Sequence, residues 1–358
     1  MARTVQFSIE SEDITTFAAD VVVLKYARSF HGADQAVALA LALVGVRAEE
    51  LQPDVGSYSY IETRAGIPTP YVIYLGTDAL RSFRYDQIEE FGMRALAILA
   101  QEQPDARHVA MTLHGVGYGL DEAEACLAEF KGFVAAIQSG NVPPAIERIS
   151  IVERNRGRVQ RLRQALDKYL EHADYAQRQK DGSYVLAAPN LTAVPAADRK
   201  KRTRATDTQT SAVQAKTPPI PPLTSEKKPH AFIAMPFKKE MDDVFYYGIQ
   251  QPLHTAGLLC ERVDQDIFSG GIMEYVKNRI ETATVVVAEL TGGNPNVYLE
   301  VGYAWGKGRP VILVARDEKE LHFDVRGQRC LVYERIKDLE EILAKELKGM
   351  ILKGIVRP

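Results

Sequence analysis

Apolar residues recur along this chain in two rhythms whose alternation outlines most of its elements. Short apolar, often β-branched runs at 3–8, 19–25, 70–75, 107–113 and 147–153 read as strands. Longer stretches with apolar residues three and four apart, at 33–44, 84–101, 120–139 and 155–171, read as helices. Strand and helix taking turns predicts a mixed or parallel sheet covered on both faces. The alternation restarts at His230–Phe237, a short strand ending in a Pro-Phe turn, and continues with strands at 258–263, 284–290, 310–314 and 329–333. Helices are expected between them near 240–256 and 271–282, after Asn294, and near 337–350. Such a series of βα units fits a compact five-stranded, flavodoxin-like parallel sheet.

Between the two series the periodicity fades. Residues 174–228 accumulate Pro, Thr, Ala and Lys and contain Arg199-Lys200-Lys201-Arg202-Thr203-Arg204 and Pro218-Pro219-Ile220-Pro221-Pro222. That composition cannot bury enough apolar surface to order itself and reads as a linker, part flexible and part extended. The expected organisation is therefore two α/β domains, 1–173 and 229–358, joined by a disordered linker over 174–228. No internal repeat relates the two.

Composition narrows the function classes. A net charge of −3 spread over 358 residues gives no global basic field, so charge does not suggest nucleic acid as a partner. The basic run in the linker reads as a solvated tether. Cys126, Cys260 and Cys330 lie far apart without metal-ligand or disulfide-framework spacing, so neither a zinc site nor a disulfide scaffold is expected. The chain contains no run of about 18 apolar residues and no signal-peptide core at Met1-Ala2-Arg3-Thr4, from which a cytoplasmic protein with no membrane partner is expected.

The densest chemical signal lies in the second series. Thr284–Leu290 has the pattern of a strand buried on both faces, Thr291-Gly292-Gly293 supplies a turn, Asn294 can cap the next helix, and Pro295 fits its first position. Val297, Val301 and Ala304 then face the sheet, while Asn296, Glu300 and Tyr303 form a separate polar stripe. Glu300 is thereby placed on the second turn of a helix opening at the carboxyl edge of the sheet, where open α/β folds hold ligands. Glu300 is the candidate catalytic group, with Asn296, Tyr303 and Thr291 as substrate contacts. Asp264 and Asp266, following Arg262 at the end of the second strand, and Phe237, at the end of the first, join them as substrate-binding candidates.

Two loops of the first series follow buried strands. One carries His31-Gly32-Ala33-Asp34; the other carries His114-Gly115-Val116-Gly117-Tyr118-Gly119 before the helix near Glu122. Glycines between a strand and a helix let backbone amides approach a phosphate. His31, Gly32, His114, Gly115, Gly117, Tyr118 and Gly119 are therefore the candidate contacts of a nucleotide-type ligand.

Two resemblances extend these readings. Glu12-Asp13-Ile14-Thr15 with the Ala19–Val23 strand, and the Gly115–Gly119 loop, resemble a macro domain over about residues 1–170. That implies binding of ADP-ribose or a related nucleotide. Macro domains that hydrolyse ADP-ribose adducts usually carry asparagines after the first core strand, where this chain has Lys25-Tyr26-Ala27-Arg28, so the resemblance implies sensing. Residues of about 229–335, through Ala234-Met235-Pro236-Phe237, Arg262, Asp264, Glu289-Leu290-Thr291-Gly292 and Asn294–Ala304, resemble the nucleoside 2-deoxyribosyltransferase-like branch of the TIR-like superfamily. That family acts at the C1′ carbon of a ribosyl group, and Glu300 falls at its catalytic glutamate position. Glu289 stands where the family commonly has Asp.

Together the resemblances imply a ligand-regulated NAD-cleaving enzyme of bacterial antiviral defence, with NAD as substrate and no separate cofactor. Its activator would be an ADP-ribose derivative or cyclic nucleotide sensed by the first domain, and activation would involve homo-oligomers. A nucleoside 2-deoxyribosyltransferase or hydrolase, and a non-catalytic signalling scaffold, are the alternatives.

Overall fold

The computed structural model describes residues 3–79, 83–116, 119–188, 215–216, 228–263 and 272–358. The chain divides into two compact units. One comprises residues 1–114 and 122–224, the other residues 115–121 and 225–358.

The first unit contains β1 (Arg3–Glu10), β2 (Val21–Tyr26), α1 (Gly32–Ala42), β3 (Ser57–Glu62), β4 (Tyr71–Gly76), α2 (Tyr85–Glu102), β5 (His108–Thr112), α3 (Glu122–Ser139), β6 (Arg148–Val152), α4 (Arg156–Leu170), β7 (Ala176–Arg178), β8 (Tyr184–Ala188) and β9 (Ala215–Lys216). Its nine-stranded sheet runs β7-β8-β1-β6-β5-β2-β4-β3-β9. The central strands β1, β6, β5, β2 and β4 are mutually parallel, and the flanking strands are antiparallel. Alternation along β2 divides the core, as a pleated strand buried on both faces must. Val21 and Val23 pack with Phe91, Phe130, Phe133 and Leu162 from α2, α3 and α4, whereas Val22 and Leu24 pack with Val37 and Leu41 of α1.

Helices α2 and α3 approach closely because each presents a glycine to the other. A methyl group at Gly92 would stand 2.9 Å from the Glu129 carbonyl oxygen, and one at Gly132 would collide with the carbonyl of Glu89. Overpacking of this kind costs about 1–3 kcal/mol, because backbone cannot yield as a flexible side chain can. Gly132→Ala is accordingly expected to lower the urea midpoint of the first unit without changing the slope. An unchanged midpoint would show that the helices can part at no cost.

The expected mixed sheet with helices on both faces is present, and each strand and helix expected in the first series has a counterpart. Three differences are informative. β3, with the sequence Ser-Tyr-Ser-Tyr-Ile-Glu, lacks the aliphatic run of the parallel strands; antiparallel pairing with β4 and stacking of Tyr60 on Tyr71 at 5.3 Å hold it in place. Residues 176–188, assigned above to the linker, form the β7–β8 hairpin, and β8 pairs with β1 from Arg3↔Ala188 to Phe7↔Tyr184. Tyr184, Leu186 and Ala188 alternate inward along that strand, a period-two signal too short to stand out beside the polar residues around it. β9 lies further into the same segment and pairs with β3.

The second unit contains β10 (His230–Ala234), α5 (Gln251–Thr255), β11 (Leu259–Glu261), α6 (Ile272–Thr282), β12 (Val285–Glu289), α7 (Pro295–Gly306), β13 (Val311–Ala315), β14 (Cys330–Val332) and α8 (Ile336–Leu352). Its five strands are all parallel, in the order β11-β10-β12-β13-β14. This is the flavodoxin-like order 2-1-3-4-5, which reverses direction between β10 and β12. One face of the sheet packs on α5 and α8 through Leu253, Leu339, Leu343 and Leu347. The other packs on α6 and α7 through Val276, Ile280, Val297, Val301 and Ala304. Inside this unit Glu261, 1% exposed, receives the Arg279 Nε–H at 2.8 Å.

The single helix expected near 240–256 is broken into three pieces. A 3₁₀ turn at Lys239–Met241 leads into a widened π-type stretch at Val244–Gln250 and then α5. Pro252 explains the change, since it has no N–H to donate to the carbonyl of Gly248 four residues back.

Candidate active site

The β12–α7 turn sets the site. Gly292 and Gly293 have φ of +77° and +64°, left-handed values that glycine adopts without a Cβ penalty, and they reverse the chain at the carboxyl end of β12. The Asn294 side chain then accepts the Asn296 N–H at 2.9 Å, and Pro295 occupies the first helical position. With α7 started there, Glu300 falls on its second turn and is 7% exposed.

Glu300 lines a cavity of about 160 Å³. The end of β10 contributes Ile233, Met235, Pro236, Phe237 and Lys238; Val263 comes from beyond β11, and Asn294, Asn296 and Val297 come from the start of α7. β10 and β12 are the two strands between which the sheet order reverses, so the cavity lies at the topological switch point. Its volume is below the roughly 300–1,000 Å³ of a whole-ligand site, which suits one ring of a larger ligand. Polar groups predominate on the cavity surface, but a carboxylate as buried as Glu300 still acts on charge more strongly than one in bulk water.

Arg262 supplies a fixed positive charge beside Phe237. Its guanidinium carbon stands 4.1 Å from the ring centre of Phe237 and 4.0 Å from that of Phe245, with Nη1 3.7 Å from the Met235 sulfur. Stacked this way the guanidinium gives up little entropy when its edge meets an anionic group, and the Asp242 carboxylate stands 3.9 Å from Nη2. One face of the Phe237 ring is thus occupied by Arg262. Lys238, exposed on the cavity wall, and Arg262 are absent from the sequence-derived candidates; the arginine at a strand's carboxyl end was the available signal.

The remaining candidates of this unit are dispersed. Asn296 reaches the cavity wall. Tyr303, one turn further along α7, donates its hydroxyl to Glu281 at the end of α6, away from the cavity-lining residues. Thr291 is turned the other way and donates to Glu289 while its Oγ1 accepts the Arg316 N–H at 3.0 Å. It braces the turn. Asp264 and Asp266 lie outside the described residues.

Glu289 is fully buried and, by alternation along β12, shares a face with Val285 and Val287. Its Oε1 accepts from Tyr333 at 3.0 Å and from Thr291, while Oε2 has no hydrogen-bond partner among the described residues. Burial pushes this carboxyl above its ordinary value, against the opposing pull of the Thr291 and Tyr333 hydrogen bonds and the Arg316 charge. A raised folded-state pKa means that the native chain binds this proton more tightly than the unfolded chain. The contribution to stability is fully present below the unfolded value near 4.5 and is lost as pH rises through the raised value. Glu289→Gln keeps an oxygen for Tyr333 and Thr291 and removes the titration. Its stability relative to the parent chain is expected to improve steadily from acidic to neutral pH. Urea midpoints measured across that range check it, and a difference independent of pH would sink it.

In the first unit, β2 leads into the His31 loop. Lys25 Nζ lies 2.5 Å from Asp34 Oδ2, both side chains being buried, so the charge of this lysine is neutralised internally. Arg28 (φ +61°) and Gly32 (φ +52°) turn the chain into α1. His31 is half-buried at the N-cap with Nε2 2.6 Å from Ser29 Oγ; burial and then the Lys25 charge lower its pKa.

His114 is completely enclosed. Its Nδ1 is 2.9 Å from Glu129 Oε1 and its ring centre 4.0 Å from that of Phe91, so it braces the start of its loop and does not reach solvent as a ligand contact must. Gly115 and Gly119 group with the second unit, and Gly117 and Tyr118 lie outside the described residues. Among the described residues, no cluster of His, Cys, Asp and Glu is arranged to hold a metal ion, and no helix is long and apolar enough to cross a membrane.

No family model matches the chain, and no curated protein matches it. Solved structures similar to it include a mutant of the Oceanobacillus iheyensis macrodomain, at 14% identity over 47% of this chain and 98% of that one, with a TM-score of 0.39. A Trypanosoma brucei macrodomain in complex with ADP-ribose is 14% identical over 45% of this chain and 68% of that one, with a TM-score of 0.35. A Clostridium botulinum CMP N-glycosidase is 18% identical over 35% of this chain and 98% of that one, with a TM-score of 0.27.

Proposed function

We propose that the second unit cleaves the N-glycosidic bond of NAD, with Glu300 as the catalytic carboxylate, and that the first unit senses a nucleotide-type ligand that controls it. The observation carrying this reading is the burial of Glu300 on the second turn of α7, in a cavity at the switch point of a parallel sheet. In the reaction the bond between C1′ and the pyridinium nitrogen breaks, and its electron pair neutralises the ring. Nicotinamide leaves without needing a proton. Glu300 stabilises the cationic ribosyl centre until water adds to C1′ and releases a proton. Since nicotinamide is already charged, one carboxylate without a general acid suffices, which favours NAD over a neutral nucleoside. Arg262, held between two rings, is suited to the pyrophosphate.

For the first unit, an ADP-ribose derivative or cyclic nucleotide is the activating class, acting through homo-oligomers. Depletion of NAD on such a signal would serve bacterial antiviral defence. The test is nicotinamide release from NAD by the full chain at high protein concentration, with and without ADP-ribose and cyclic nucleotides. Release that rises with a nucleotide supports both halves of the reading. Cleavage of deoxynucleosides without release from NAD would replace it with a nucleoside transferase or hydrolase, and silence on both substrates with a non-catalytic scaffold.

A further inference from the structure

The arginines of α4 are treated unequally by the fold. Arg158 and Arg161 turn toward Glu122, at 3.2 and 2.5 Å, and Arg158 also meets Glu153 at 2.9 Å, so their charge is matched. Arg156 and Arg163 are not matched this way. The Arg156 guanidinium is exposed and makes no hydrogen bond or ion pair with the described residues. Arg163 is anchored, but by a neutral group: Nε and Nη2 donate to the Ile9 carbonyl at 3.1 and 2.5 Å.

Both face an open groove of about 680 Å³ within the first unit, where Ser11 follows β1 and Arg178 enters from the β7–β8 hairpin. Arg156, Gln160, Arg163 and Asp167 are spaced along one helix face, so the donors form a line and not a cluster. Asp167 is the groove's acidic residue, and it is already bound by Arg178 at 2.5 Å and by the Tyr184 hydroxyl. Asp167 and Arg178 also border a second cavity of about 420 Å³ that runs on past Leu170 and Ala176. The track is therefore extended and carries three arginines against the carboxylates of Asp167 and Glu171; its aromatic residue, Tyr184, is buried with its hydroxyl on Asp167 and offers no open face on which a base could stack.

We propose that this track along α4 binds phosphates repeated along a chain, either the backbone of a single-stranded nucleic acid or a linear polyphosphate. Arg156 and Arg163 are two helical turns apart, roughly 10 Å along the axis, which matches phosphates spaced on a strand better than one compact anion. Recognition by charge and spacing alone makes the groove indifferent to base sequence. It shares none of the residues of the His31 and His114 loops and stands independently of the activity proposed for Glu300.

The experiment is fluorescence anisotropy of the full chain with a labelled single strand of about eight nucleotides. The two arginines without an acidic partner, Arg156 and Arg163, predict an affinity that falls about sevenfold between roughly 50 and 200 mM salt. Arg156→Glu and Gln160→Glu alter exposed positions, so folding is preserved, and each is expected to weaken binding at least about tenfold at low salt. A companion chain with Arg199-Lys200-Lys201-Arg202 changed to alanines separates the linker's basic run from the groove. Displacement by equimolar inorganic tripolyphosphate would identify free polyphosphate as the ligand; retention of the strand against an excess would identify nucleic acid. Absence of binding at low salt, indifference to both groove substitutions, or loss only in the linker variant would overturn the proposal.

Discussion

Replacing Glu300 with Gln is expected to lower nicotinamide release from NAD by on the order of 10²–10³-fold or more while leaving the thermal transition of the second unit in place. The side chains match in shape, so the buried position on α7 is kept and the change is confined to charge. Loss of the negative charge removes what, in the proposed reaction, stabilises the cationic ribosyl centre. The loss should appear in kcat, since nicotinamide already carries its charge in the bound ground state and the ribosyl charge develops only in the transition state. Glu300→Asp keeps the charge but withdraws it by one methylene and is expected to fall between the parent and Glu300→Gln. Steady-state release assays with matched melting curves check this. Retention of activity within about tenfold by Glu300→Gln would remove Glu300 from the chemistry, given the size of the electrostatic effect invoked.

The second large effect concerns stability. Arg279→Leu is expected to destabilise the second unit by about 3–5 kcal/mol, because it leaves the Glu261 carboxylate buried without its cation. Glu261 is 1% exposed and the Arg279 side chain 9%; the His230 ring, charged only when protonated, has its Nε2 3.9 Å from the carboxylate and 3.0 Å from the Arg279 carbonyl oxygen. The histidine is therefore a poor replacement. Removing both charges with Glu261→Leu and Arg279→Leu is expected to recover much of the loss, since a paired buried charge contributes little net stability compared with apolar residues of similar volume. Denaturant unfolding of the single and double variants forms the cycle. If the double variant is as unstable as the sum of the singles, the pair is not coupled and the burial argument fails.

Much of the architecture was legible because parallel strands buried on both faces must be continuously apolar. Val21–Leu24 and Val285–Ala288 announce themselves without reference to neighbours. The start of α7 was equally plain, since Asn294 and Pro295 carry their capping roles locally. The edge elements were not. β3 is polar enough to pass as a loop until β4 lies beside it, and β8 becomes a strand through pairing with β1, contributed by residues at the opposite end of the first unit's sequence.

The same division runs through the site. Spacing placed Glu300 on the second turn of a helix at the carboxyl edge of a sheet, a matter of local chain geometry. It put Tyr303 on the same stripe, but a long side chain one turn further reaches Glu281 on α6. Thr291 and His114 drew attention through the residues next to them in sequence, whereas Glu289, Arg316 and Tyr333 around the first and Glu129 and Phe91 around the second determine what each does. The stacking of Arg262 between Phe237 and Phe245 brings together residues from three separate segments. The sequence by itself determined the periodicities, the caps and turns, and hence the order of elements and the carboxylate at the sheet edge, because these depend on residues within a few positions of one another. Only the tertiary structure decided which strands close the sheets, which polar groups are buried, and which side chains share a cavity, because burial and pairing are properties of segments distant in the chain.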